Sequence, residues 1–437
     1  MINSIVILGI QWGDEGKGKI VDLLSENSNY VVRYQGGNNA GHTLLVNKKK
    51  TVLHLIPSCV LHKDVIAVLG NGVVVSLTDL VNEIVSLKKK GIFIQNRLIL
   101  SSSIPLIFEY HIKLDKAREC NLLNKSVIGT THKGIGPAYE DKISRRAIRI
   151  NDLYYSDYFY KILKKNVKYY NFTLKNLYQT KTVDFKKIFN KTMIAFKKVK
   201  HMIQDVSCLL NNKIDKNKKI IFEGAQGSLL DIDHGTYPYV SSSNSSIGGV
   251  ITGTGVGIKK IKYILGVSKT YCTRVGNGPF PTEIFDDMSK YLCKKGKEFG
   301  TTTGRKRRIG WLDLFLLKKM ILINSLSGLC LTKMDVLDFL PEIKICIKYL
   351  DKNSNQEISS YPMTIQSWKN IIPVYKIFKG WNKSTRGITS FAELPIEAQH
   401  YINYIQSFLN ISIDLISTGP NRHETIIISK FLKKFIK

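Results

Sequence analysis

The sequence predicts an α/β protein: a single large domain around a mostly parallel central β-sheet, with a helical insertion around 152–210. Three observations predict it. Short Val/Ile-rich runs alternate with helical patterns along most of the 437 residues. Gly/Ser/Thr clusters follow the apolar runs, where open α/β sheets carry their ligands. Only 152–210 breaks the alternation, with apolar residues three or four apart.

In chain order, strand 4–9 (Ser4-Ile5-Val6-Ile7-Leu8-Gly9) leads through a glycine-rich loop into a helix over 17–26. With no basic residue ahead of it, this first run reads as a buried strand and not a signal peptide. Strands over 30–34, 65–69 and 97–101 follow, with helices over 78–90 and 108–120. In the insertion, Phe185, Ile188, Phe189, Met193, Phe196, Val199 and Ile203 mark the inner face of an amphipathic helix. Its interleaved Tyr and Lys, from Tyr154 to Tyr178, are expected to divide simply, aromatics inward and lysines to water. Strands resume at 219–223, 266–273, 328–333 and 411–417, separated by helices over 254–263, 311–325 and 395–409. Glycine, serine and threonine cluster at 36–43, 129–137, 224–228, 241–257, 276–282 and 300–304, which predicts a large composite site.

Composition narrows the class. No apolar run reaches bilayer-spanning length. The seven cysteines are scattered and never spaced CxxC, which argues against a disulfide framework or zinc site and for a reducing cytoplasm. The formal net charge is +31. Because the lysines are spread along the whole chain beside many Ile and Asn residues, the charge is read as AT-rich codon bias on a solvated surface, and no nucleic-acid partner is expected.

Four segments carry chemistry. Gly13-Asp14-Glu15-Gly16-Lys17-Gly18-Lys19 joins a strand to a helix, a context in which backbone N–H groups and a helix N-terminus hold phosphate. Ile20 stands where a standard phosphate loop has a Ser or Thr for magnesium, and Asp14 places a carboxylate in the cradle, able to bind the ion or take a proton. Gln35-Gly36-Gly37-Asn38-Asn39-Ala40-Gly41-His42-Thr43 presents an imidazole that could serve a phosphoryl oxygen. Leu331-Thr332-Lys333-Met334-Asp335 matches the run by which GTP-binding proteins select guanine, the carboxylate accepting from a donor pair that adenine lacks. Thr301-Thr302-Thr303-Gly304-Arg305-Lys306-Arg307-Arg308 suits an anion clamp that closes on binding.

In this order and spacing the four segments resemble the adenylosuccinate synthetase family, from about residue 4 to about residue 430. Supporting blocks are Gln11-Trp12 before the phosphate loop, Gly129-Thr130-Thr131 with Gly134 to Lys142, Phe222-Glu223-Gly224-Ala225-Gln226-Gly227, Asp231 to Val240, Arg274-Val275-Gly276 and Ser417-Thr418-Gly419-Pro420. The resemblance implies a fold distantly like P-loop GTPases and a GTP-dependent joining of L-aspartate to IMP through 6-phosphoryl-IMP. It implies Asp14 as the base at N1 of IMP, His42 as the acid at the phosphoryl group, and Lys17 and Gln226 beside them. It also implies one magnesium ion per site, held by Asp14 and the Gly41 carbonyl. IMP contacts carry over to Asp14, Glu15, Gly16, Lys17, Asn39, Ala40, Gly41, His42, Thr131, Gln226, Ser241 and Arg305. Arg145 matches an arginine supplied by a partner subunit, implying a homodimer. GTP contacts carry over to Gly13 through Lys19, Gly41, His42, Thr43, Arg307, Lys333, Met334, Asp335, Ser417, Thr418 and Gly419. Aspartate contacts carry over to Thr301, Thr302, Thr303, Gly304, Arg305, Lys306 and Arg307. Ser241 stands for a usual Thr, Asn38 for a frequent His, and His132-Lys133 for a frequent Gly-Arg. A regulatory GTPase is the first competing class, and Ile20 and the surplus anion clamp speak against it; a nucleic-acid-binding protein, supported only by the net charge, ranks behind it.

Overall fold

The computed structural model describes residues 3–39, 41–46, 49–120, 127–300 and 304–436. The strand Ser4–Gly9 lies near the middle of a ten-stranded sheet. On one side follow Ile220–Glu223, Tyr30–Arg33, Ile66–Leu69, Leu98–Ser101 and Ile203–Gln204; on the other, Tyr263–Lys269, Gly328–Thr332, Ile413–Ser417 and Thr425–Ile427. Neighbours run parallel except at the edge, where Ile413–Ser417 and Thr425–Ile427 are antiparallel. The fold class expected from the sequence is the one observed.

The continuous apolar runs follow from burial on both faces. Ile5 and Ile7 join one hydrophobic core, while Val6 and Leu8 join a second core across the sheet. The same period of two separates Cys330 from Leu329 and Leu331, and Val31 from Tyr30 and Val32. A polar residue at any of these positions would meet hydrocarbon, so no alternation with polar residues survives.

The insertion contains the helices Ser156–Asn176 and Phe185–Val199, the second capped by Asp184, whose carboxylate accepts from the Lys187 amide at 2.6 Å. Ile188, Phe196 and Val199 enter the first core, and Phe185, Phe189, Met193 and Ile203 pack against it, as the periodicity predicts. The simple division of aromatics and lysines fails, however. Tyr155, Tyr158 and Phe172 are 69%, 54% and 70% exposed. They lie outside the inner stripe, so the helix period, and not residue type, decides their exposure.

Two expectations shift, and one element is new. The helix expected over 254–263 instead spans Gly248–Thr254, because Gly255 adopts φ 72° and ends it with a left-handed cap. The strand expected over 266–273 divides into Tyr263–Lys269 and Cys272–Arg274, the latter pairing with Arg308–Gly310. A hairpin of Glu342–Asp351 and Ile371–Lys379, joined by Leu312–Asp313 in a three-stranded sheet, was not anticipated.

Candidate active site

Parallel pairing brings the C-terminal ends of the central strands to one edge of the sheet. The chain leaves Ile220–Glu223 on one side of Ser4–Gly9 and returns as Tyr263–Lys269 on the other. Such a reversal opens a crevice between the outgoing loops, the usual ligand position in this architecture.

The first loop is organised around a buried charge. Glu15 is 0% exposed, and its carboxylate accepts from the amides of Gln11 (3.1 Å) and Gly13 (2.9 Å) and from Lys17 Nζ (2.5 Å). Lys17 also donates to the Gln226 carbonyl. The Glu15 side chain therefore shapes the loop from inside, while Asp14, at φ 60°, projects to the crevice and keeps 30% exposure. Gly16 takes φ 89° at the start of the helix Lys17–Ser25, a left-handed geometry that glycine adopts without penalty. Lys19 Nζ donates to Ser417 Oγ, the Gly419 carbonyl and the Glu424 carbonyl, each at 2.7 Å. Burial lowers its pKa to about 8.

Opposite stands His42. Its Nδ1 lies 2.5 Å from Glu223 Oε1 and 3.2 Å from Ser58 Oγ. Glu223 is 0% exposed at its strand end and is braced by the Ser58 hydroxyl (2.5 Å) and amide (2.8 Å). Burial alone would raise its carboxyl, but the charge and hydrogen bonds of His42 and Ser58 outweigh burial and hold it below the ordinary range. With Nδ1–H given to Glu223, Nε2 is the nitrogen left for a ligand. Gln226, at φ 53°, connects the loops: its side chain donates to Asn39 Oδ1 (3.3 Å) and accepts from Gln35 Nε2 (3.3 Å). Gly36 is required beside it, since a Cβ there would lie 3.0 Å from Gln226 Oε1 at φ 82°.

Arg307 reaches the same crevice. Its Nε donates to Asp14 Oδ2 at 2.6 Å and its Nη1 to Glu298 Oε2 at 2.6 Å. Lys333 has φ 64° and donates to the Gly296 carbonyl at 2.8 Å. Asp335 is half-buried, and burial raises its carboxyl above the ordinary range against the opposing pull of Lys333. A carboxylate in that condition gains from a ligand with paired N–H donors. The Met334 side chain belongs to the second core, leaving only its backbone for a ligand. Thr418 is 0% exposed, its hydroxyl donating to the Ile388 carbonyl at 2.9 Å, so the Ser417–Gly419 turn is packed inward around Lys19.

The remaining candidates are more peripheral. Thr131 is half-buried, and Ser241 shares a 3.1 Å hydrogen bond with Ser243. Arg145 is exposed at φ 62°, just beyond the helix Ile135–Ile143. Gly304, Arg305 and Lys306 are exposed on the loop before Arg307. Ala40 and Thr301, Thr302 and Thr303 lie outside the described residues, as does the side chain of Thr43. Gly41 directly precedes the strand His42–Val46. Among the described residues no three His, Cys, Asp or Glu gather as a metal cluster. The half-buried Asp14 carboxylate beside the phosphate loop, paired on one side with Arg307, instead fits Mg²⁺, which takes one or two carboxylates and draws its other ligands from phosphates and water.

Sequence reasoning did not single out Glu223, Ser58 or Glu298 as site residues. Glu223 had a signal, a charged residue ending an apolar strand next to Gly224. Glu298 had none. Comparison with known proteins gives the family. The family described as Adenylosuccinate synthetase matches residues 6–426. The adenylosuccinate synthetase of Buchnera aphidicola subsp. Acyrthosiphon pisum (strain APS) is 58% identical over 437 residues, covering 99% of this chain and 100% of the relative. That of Wigglesworthia glossinidia brevipalpis is 54% identical, covering 99% and 100%. The solved structure of the fully ligated enzyme from Plasmodium falciparum superposes with a TM-score of 0.93 at 42% identity, over 98% of this chain and 100% of that one. The chain belongs to the adenylosuccinate synthetase family.

Proposed function

We propose that this chain catalyses the GTP-dependent ligation of L-aspartate to IMP, giving adenylosuccinate, GDP and phosphate. Family membership supports the reaction. One observation supports the residue roles: Gln226 links the phosphate loop, where its carbonyl accepts from Lys17, to the second loop, where its side chain donates to Asn39, and His42 of that second loop lies against Glu223 at the end of the strand before Gln226. Ile20 is fully buried in the first core and offers no hydroxyl to a nucleotide-bound cation, which disfavours a regulatory GTPase.

In the first step Asp14 removes the N1 proton of IMP. The electron pair moves to the 6-oxygen, which forms a bond to the γ-phosphorus of GTP as the bond to the β,γ-bridging oxygen breaks and GDP departs. His42 Nε2 donates to the phosphoryl oxygens as charge gathers there, and Glu223 stabilises the imidazole from behind. Lys17 and Gln226 hold the purine and phosphoryl groups in register. In the second step the aspartate amine attacks C6, the C–N bond forms, and phosphate leaves with the former 6-oxygen. Asp14 and the Gly41 carbonyl would hold Mg²⁺, which neutralises charge on the nucleotide phosphates. Lys333 and Asp335 read guanine; Thr301 through Arg307 receive aspartate. The chain acts as one catalytic unit, insertion included, in a cytoplasmic homodimer whose Arg145 reaches the partner's IMP.

The test combines purified protein with Mg²⁺, GTP, IMP and aspartate and follows the purine absorbance. Omitting any one component should abolish product. Product formed without aspartate or without IMP would sink the reading.

A further inference from the structure

We propose that Glu298 is a positioning residue for this reaction: it fixes Arg307 so that one edge of the guanidinium faces the crevice. The inference rests on Asp14 and Arg307 belonging to the ligation site.

Glu298 and Arg307 are paired neighbours, with Phe299 and Gly300 on one side and Arg305 and Lys306 on the other. The Arg307 amide donates to the Glu298 carbonyl at 3.0 Å, Phe299 bridges to Lys306, and the Gly300 amide donates to the Arg305 carbonyl at 2.7 Å. Side chains lock the same pair. Glu298 is 0% exposed; Oε1 accepts from Tyr271 OH at 2.5 Å and Lys269 Nζ at 2.9 Å, and Oε2 accepts from Lys269 Nζ at 2.9 Å and Arg307 Nη1 at 2.6 Å. Lys269 ends a central strand, is 0% exposed, and also donates to Thr273 Oγ1 at 2.8 Å. The sheet therefore holds Glu298, and Glu298 holds the inner edge of Arg307.

The two carboxylates that share Arg307 differ in freedom. Glu298 is fully buried with every partner supplied by the protein, whereas Asp14 keeps 30% exposure. Only the Asp14 contact can be exchanged for a ligand anion at low cost, because breaking the inner pair would strand a buried charge. When an anionic substrate takes Arg307 Nε, Asp14 is released to serve as base while Nη1 stays on Glu298. Without Glu298 the guanidinium loses its fixed end, and the aim toward the ligand with it.

The test measures KM for GTP, aspartate and IMP separately in the wild type, Arg307→Ala, Glu298→Gln and the double variant. Glu298→Gln should raise, by about tenfold, KM for the same substrate that Arg307→Ala affects, with a smaller change in kcat. The double variant should be no worse than Arg307→Ala alone. Multiplying effects in the double variant, or unchanged KM values in a folded Glu298→Gln enzyme, overturn the proposal. Tyr271→Phe, which removes one hydrogen bond and keeps the charge, covers the case in which Glu298→Gln does not fold. It should raise the same KM by a smaller factor, and unchanged KM values there overturn the proposal too. A wild type that makes no adenylosuccinate would instead refute the ligase reading.

Discussion

Glu223 and Glu298 are both fully buried acids, the first ending a central strand and the second two residues beyond the helix Asp287–Gly296, and each holds a cation at the crevice, yet they hold it differently. Glu223 has Ser58 on one side and a single imidazole on the other. Glu298 is saturated by Lys269, Tyr271 and Arg307; burial works to raise its carboxyl, but the charges of Lys269, Lys333 and Arg307 and the Tyr271 hydrogen bond outweigh it and depress the pKa to about 2. An imidazole has two ring nitrogens that can each donate or accept, whereas a guanidinium only donates and keeps its charge. The first pair is thus suited to hydrogen-bond traffic, and the second to constant charge. One scaffold device, a buried carboxylate under a cation, serves two chemistries according to the cation it carries.

The sharpest break is Asp14→Asn, which leaves both pairs in place and removes the base. Turnover should fall by about a thousandfold or more, with the thermal midpoint little changed. Retained turnover would take Asp14 out of the base role. Glu223→Gln should lower kcat by about 10- to 100-fold and leave KM for GTP and aspartate nearly unaltered, the reverse of the Glu298 pattern. Matching kinetic signatures for the two glutamine variants would erase the distinction. Asp335→Asn should narrow the preference for GTP over ATP by about tenfold, read from kcat/KM for each nucleotide. Stability against pH sharpens the same contrast. Both glutamates have folded pKa values below their unfolded ones, so their contribution is complete above about pH 4.3 and is lost as pH falls through the folded values. For Glu298 that loss extends down to about pH 2, and denaturant midpoints of Glu298→Gln should flatten across this window. The smallest effect belongs to the exposed face of the insertion, and its buried face gives the contrast. Phe172→Ser, at a position 70% exposed, should shift stability by no more than about 0.5 kcal/mol. Phe159→Ala, in the first core, should cost about 3–5 kcal/mol by denaturant melts.

The strand Ser4–Gly9 and the loop after it were legible because burial on both faces and phosphate-loop chemistry leave strong local signatures. The helix at Gly248–Thr254 was displaced because a capping glycine is visible only once its φ is known. The hairpin of Glu342–Asp351 and Ile371–Lys379 is only partly buried, so it lacks the continuous apolar runs that marked the central strands. Motifs singled out Asp14, His42 and Asp335 as candidates. Glu298 could not, since its partners Lys269 and Tyr271 lie almost thirty residues earlier and meet it only through the sheet.

The Lys19 ammonium spans nearly the whole polypeptide, linking the first helix to carbonyls some 400 residues downstream. During synthesis the amino-terminal cradle must wait for that distant turn to leave the ribosome before its floor can close. A nascent chain stopped short of Glu424 would carry the glycine-rich motif in full and still lack the carbonyls that hold Lys19, so the motif alone does not make the finished loop.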